Sequence, residues 1–161
     1  MRGRYWRVTD LDAVLQRLAA CSARTVIFDV EPLVAFWDTD ELTLDRGIAT
    51  VLSHVSVLRD VQVIGFATNS LRAAQVDQAV GGVRVFYVSA ARKPVSLAPY
   101  RSLPLPGVVV GDQIATDGVL ARRLGFAFAH YCPRLDRMPV GPRLMREVGR
   151  PLRPLLFDRE P

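Results

Sequence analysis

Gly107-Val-Val-Val-Gly-Asp-Gln-Ile-Ala-Thr-Asp117 is the stretch on which the fold turns. Its first five residues contain no polar side chain, as a strand buried on both faces requires. Such strands occur in parallel sheets covered by helices, and here two carboxylates, Asp112 and Asp117, follow the strand's carboxyl end. The same pattern recurs on either side. Thr25-Val-Ile-Phe28 runs into Asp29, and Val61-Gln-Val-Ile-Gly-Phe-Ala67 runs into Thr68-Asn69-Ser70. Val83-Arg-Val-Phe-Tyr-Val88 follows the turn signal Gly81-Gly82, and Phe126-Ala-Phe-Ala-His130 closes the series. Residues 10–21, 43–57, 70–80 and 116–124 space their apolar residues three and four apart, which predicts helices. Together these predict an α/β fold, a doubly wound parallel five-stranded sheet, within residues 1–132.

Composition agrees. Of 161 residues, 50% are hydrophobic and 23% charged, which excludes wholesale disorder. No apolar run approaches the ~20 residues of a membrane-spanning helix. Met1–Asp10 is basic but has no apolar core, so no secretory signal is expected. Cys21 and Cys132 lack metal-ligand spacing and read as ordinary buried thiols of a cytoplasmic protein. The net charge is +5, with residues 1–24 and 133–161 each at +3. Residues 133–161 read as an Arg/Pro-rich C-terminal arm, extended apart from one short helix near 141–149. The basic ends serve solubility or weak peripheral contact with an anionic membrane face. Without interleaved aromatics they predict no specific nucleic-acid binding. Of 21 basic residues only Lys93 is lysine, which makes that position conspicuous.

In an open parallel sheet, ligands bind beyond the carboxyl ends of the strands. The residues leaving those ends are Asp29 and Glu31, Thr68 and Asn69, Lys93, and Asp112 and Asp117. Carboxylates suit a hard, oxygen-seeking cation such as Mg²⁺. A hydroxyl, backbone N–H groups and an ammonium suit a phosphoryl group, and a carboxylate can be a nucleophile toward phosphorus. Plainer roles exist for several of them. Asp117 or Thr68-Asn69-Ser70 could cap a following helix. His54 reads as a surface residue, His130 as structural, and Trp37-Asp38 as packing beside the site.

The order of these residues resembles the haloacid dehalogenase (HAD) superfamily of aspartate-nucleophile phosphatases. Gly111-Asp-Gln-Ile-Ala-Thr-Asp117 is similar to the Gly-Asp-Gln-x-x-Thr-Asp of its YqeG-like branch, subfamily IIIA. Asp29-Val-Glu-Pro-Leu-Val-Ala-Phe-Trp-Asp38 aligns with that branch's Asp-x-Asp-Asn-Thr-Leu-x-x-Trp-Asp. The resemblance spans residues 24–130 and implies a Rossmann-like core and a Mg²⁺-dependent phosphomonoesterase. It makes Asp29 the nucleophile and a metal ligand, Asp112 and Asp117 the further metal carboxylates, and Glu31 a backbone metal ligand and acid–base. Thr68 and Lys93, with Asn69 beside them, would hold the phosphoryl group. Phosphatidylglycerophosphate is a substrate in the branch, so a phosphorylated lipid headgroup or another large phosphomonoester is expected.

The first motif departs from the family at Glu31, Pro32 and Leu33, which stand where it has Asp, Asn and Thr. Glu31 carries its carboxyl one methylene further out, and ~1 Å of misplacement can cost on the order of 10²-fold in rate. The alternative is therefore a catalytically impaired binding or regulatory protein that keeps the metal and phosphate site. The short connections after the first and third strands leave no room for a cap domain, so an open site is expected.

Overall fold

The computed structural model describes residues 3–133 and 138–158. In chain order, the elements are β1 (Tyr5–Val8), α1 (Leu11–Ala20), β2 (Thr25–Asp29), α2 (Glu41–Val55), β3 (Val63–Ala67), β4 (Ala79–Val80) and β5 (Val83–Val88). They continue with β6 (Gly107–Gly111), α3 (Val119–Leu124), β7 (Ala127–Tyr131), α4 (Val140–Gly149) and α5 (Arg153–Leu156). The strands form one sheet in the order β1-β7-β6-β2-β3-β5-β4. Every pairing is parallel except β4 with β5. The expected five strands become seven.

The two additional strands lie at the edges. Tyr5-Trp-Arg-Val8 is four residues long and half polar, too short for a pattern to show, yet it pairs with β7 along its whole length. β4 is two residues joined to β5 by Gly81 and Gly82, whose φ angles of 57° and 82° confirm the turn. The helix expected over 70–80 is absent. Leu71 is 87% exposed, and the Arg72 guanidinium is drawn to Phe36 O, Thr39 O and Thr39 Oγ1 at 2.8–3.0 Å. Those tertiary bonds, with β4 pairing beyond, outcompete a weak helical pattern. Ser70 accordingly caps nothing helical.

Alternation along the central strands divides the core into two layers. Val26 and Phe28 face α1 and α2, whose Val14, Leu18, Leu44, Ile48, Val51 and Val55 close that side. Ile27 faces the opposite way, toward Leu120 and Ala121 of α3, Tyr100, Phe128 and Phe157. Asp10 and Asp40 cap α1 and α2 by accepting from Ala13 N and Thr43 N, both at 2.8 Å.

In the region read as an arm, the short helix expected near 141–149 is α4, and helical structure continues past it to Leu156 rather than giving way to extended chain; residues 134–137 and 159–161 lie outside the described residues. α4 and α5 fold back along the β1–β7 edge. Phe157, 2% exposed, stacks on Phe128 at 5.5 Å and pairs with Gly3 in a parallel bridge. Cys21 and Cys132 are free and half-buried rather than fully buried. No helix among the described residues is long and apolar enough to cross a membrane.

Candidate metal and phosphate site

Register assembles the site. β2 lies between β3 and β6, so the chain leaves its carboxyl end toward β3 on one side while β6 flanks the other. Asp29 stands opposite Ala67, and Phe28 opposite Val110. Thr68, one residue past Ala67, and Asp112, two past Val110, therefore flank Asp29 on either side. This is the reversal point at which open α/β sheets place ligands.

Asp112 is followed by a single wide turn of π type, Ile114–Gly118, which swings Asp117 back toward the strand end. That approach leaves no space for a side chain at Gly111: a Cβ there would sit 2.3 Å from Asp117 Oδ2. Glycine before Asp112 is thus a packing requirement of the site itself. Asp117 accepts from Gln113 N at 3.2 Å and caps no helix.

Asp29, Asp112 and Asp117 are all buried, and each offers a carboxylate oxygen within 4.8 Å of the others. Lys93 Nζ lies 2.8 Å from Asp29 Oδ1 and 2.7 Å from Asp117 Oδ1, and donates to Ala67 O at 3.0 Å. An ammonium has three protons, so these contacts use all of them. Lys93 holds the carboxylates and leaves no donor for a phosphoryl group in this geometry. Burial alone would depress its pKa, but Asp117 and Asp29 reverse that and hold the ammonium well above its ordinary range.

Three carboxylates share one buried ammonium, with only the Arg146 guanidinium approaching from the edge, so negative charge is in excess. The Asp29 pKa is accordingly raised well above the ordinary value, first by burial and then by Asp117, against the pull of Lys93. Asp112 is pushed up to about 7 by burial and by Asp117. Both of its oxygens are buried without a hydrogen-bond partner, and Arg146 Nε stands 3.9 Å from Oδ2. Buried carboxylate oxygens are costly unless something pairs with them. A divalent cation among these oxygens would offset the excess negative charge, so the donor set fits a hard metal ion.

The other half of the rim is arranged differently. Glu31 accepts from Thr68 Oγ1 at 2.8 Å and pairs with Arg72 Nη1 at 3.3 Å. Thr68 is fully buried, and its hydroxyl also accepts from Ser70 N at 3.0 Å. Asn69 turns its amide to the Lys93 backbone, accepting from Lys93 N at 2.7 Å and donating to Lys93 O at 3.0 Å. Its role here is to fix the loop that delivers Lys93. Between the two halves lies a cavity of about 120 Å³ lined by Asp29, Glu31, Trp37, Thr68, Asn69, Ser70, Lys93, Gln113 and Thr116. A water needs roughly 10–15 Å³ and a drug-sized ligand roughly 300 Å³ or more. The cavity therefore takes a phosphoryl group with its waters, not a whole substrate.

All seven residues singled out by sequence thus meet at one rim. Sequence reasoning missed Arg72, placed in the expected helix, and Arg146, placed in the expected arm; both come from long-range packing that no local spacing announces. Ser70 reads in sequence only as part of a helix cap, and Thr116 stands inside the quoted motif without an assigned role. His54 is exposed on α2. His130 is structural: its Nε2 donates to Asp112 O at 3.0 Å, so Nδ1 accepts from the Tyr5 hydroxyl at 2.6 Å. Burial pulls its pKa down to about 4 and keeps it neutral.

Comparison with family models, with curated proteins and with solved structures returned no match.

Proposed function

We propose that this chain is a metal-dependent phosphomonoesterase acting through an aspartyl-phosphate on Asp29. One observation carries the reading: a buried Asp29–Asp112–Asp117 cluster in which carboxylates outnumber cations, with both Asp112 oxygens lacking a hydrogen bond, beside a phosphoryl-sized cavity. The ordered resemblance to the HAD phosphatases supports it.

Asp29, Asp112 and Asp117, with the Glu31 backbone carbonyl, would hold Mg²⁺. The bound cation supplies charge neutralisation of the phosphoryl oxygens. A carboxylate oxygen of Asp29 attacks phosphorus, the ester P–O bond breaks, and the leaving alkoxide takes a proton from an acid. Water then attacks the phosphoryl group, giving its proton to the same base, and Asp29 leaves as carboxylate. Lys93 fixes the Asp29 carboxylate for in-line attack, and Gln113 and Thr116 line the space the phosphoryl group enters. Glu31 is the acid–base available at this rim. Between Asp29 and β3 the chain holds only loops and α2, so the reading includes no cap and a substrate whose bulk stays outside.

The experiment is phosphate release from an aryl phosphate, with Mg²⁺ and with chelator, beside Asp29→Asn. Metal-dependent release abolished in the variant is expected; equal release from both proteins overturns the reading.

A second reading is favoured by the Glu31 geometry. Its carboxylate is bound by Thr68 and Arg72, an arrangement that serves structure better than proton transfer. The chain would then bind metal and phosphate without turnover. Restoring the family's residues with Glu31→Asp and Leu33→Thr separates the two: activity appearing in a silent protein identifies a degenerate enzyme.

A further inference from the structure

Beside the phosphoryl cavity lies a larger cleft, about 650 Å³, between the β1–β7 edge and the C-terminal helices. It adjoins the site: Arg146, on its lining, stands 3.9 Å from Asp112 Oδ2, and Ile114 follows Gln113 of the small cavity. Among the described residues, Arg7, Arg143, Arg146, Arg150 and Arg153 line it against a single acid, Glu147. Four of these recur at three- and four-residue spacing from 143 to 153, so the helical chain presents them on one side. Like charges so spaced repel, and a fold keeps them together at a cost to its own stability. The local partners do not balance them. Glu147 pairs with Arg150 at 2.7 Å, Arg153 lies over the Tyr5 ring at 4.5 Å, and Arg146 reaches Asp112 at 3.9 Å.

We infer that this cleft is a second anion subsite, and that the ligand of this protein carries a further phosphate besides the phosphoryl group placed at Asp29. Guanidinium forks bind phosphate through paired hydrogen bonds, and a cleft of this size takes the body of a small phosphorylated molecule or a headgroup. The placing of the first phosphoryl group rests on the phosphatase reading; the subsite rests on the cleft itself.

The test is calorimetric titration of Asp29→Asn protein with Mg²⁺, using fructose 1,6-bisphosphate and fructose 6-phosphate as probes. The bisphosphate should bind about tenfold or more tightly, the worth of one added charge-assisted hydrogen bond. Adding Arg143→Gln and Arg150→Gln, two exposed positions whose folding is checked by circular dichroism, should bring the ratio to near one. A ratio near one with the arginines present, a ratio indifferent to their removal, or no binding of either probe overturns the inference. Sedimentation with phosphatidylcholine vesicles, with and without phosphatidic acid, tells a headgroup from a free ligand. Arginine-dependent pelleting with phosphatidic acid assigns the headgroup; bisphosphate preference without pelleting assigns a soluble ligand. An intact binding preference in a protein that releases no phosphate sinks the phosphatase reading and leaves the subsite standing.

Discussion

The two halves of the rim handle buried charge in opposite ways. On the β2–β6 side, Asp29, Asp112 and Asp117 share one ammonium, and the Asp112 oxygens have no hydrogen-bond partner. On the β3 side, Glu31 has Thr68 and Arg72, and Arg72 has the Phe36 and Thr39 oxygens as well. The second cluster is complete within the chain and its bonds serve the fold. The first is incomplete, and its deficit has the sign that a bound cation would fill. Unsatisfied charge, more than the presence of carboxylates, distinguishes a binding centre from a structural network.

Removing the one cation from the incomplete half should have the largest effect. Lys93→Met leaves three buried carboxylates with only Arg146 at their edge and should cost roughly 3–5 kcal/mol in chelator, measured by urea unfolding, with saturating Mg²⁺ recovering part of the loss. A change below about 1 kcal/mol would erase the contrast between the halves. Asp112→Asn should act in the reverse direction, stabilising the chelated protein by on the order of 1–3 kcal/mol at pH 8 while removing any rise in Tm on adding Mg²⁺.

The same group gives a pH signature. Asp112 is raised to about 7 from an ordinary 3.8, so its contribution to stability is present below about pH 4 and lost as pH rises through 7. Chelated protein should therefore lose about 1–2 kcal/mol between pH 5 and 8, and Mg²⁺ should flatten the curve. A chelated protein that gains stability over that window contradicts the arrangement. On the complete half the effect on folding is smallest: Glu31→Gln keeps its hydrogen-bonding shape and should cost about 1 kcal/mol. Its kinetic effect sharpens the comparison. As acid–base its loss lowers turnover by roughly 10²–10⁴-fold; an unchanged rate assigns Glu31 to structure alone.

What could be read in advance follows from where each signal resides. β2, β3 and β6 announce themselves because strands buried on both faces need apolar runs, and β5 and β7, though partly exposed, are still mostly apolar. β1 and β4 do not, since an edge strand that exposes Arg7 or spans two residues has no run to show. Asp29, Thr68 and Asp112 were legible because they end strands, and Lys93 because it is the only lysine. Asp117 followed from the motif. The partners Arg72 and Arg146 were not, because each reaches the rim by tertiary packing, Arg146 across 34 positions from Asp112. Nor does spacing reveal that Lys93 exhausts its protons on carboxylates and a carbonyl, or that Asn69 holds backbone.

Lys93 also makes the protein its own reporter. It is the only side-chain amine, 6% exposed and locked between two aspartates. Succinimidyl esters added to the native protein should acylate the terminal amine and spare the side chain. A second acyl mass, localised to Lys93, then counts openings of the site one molecule at a time. Its rate of appearance, with and without a cation, times how often the centre comes apart.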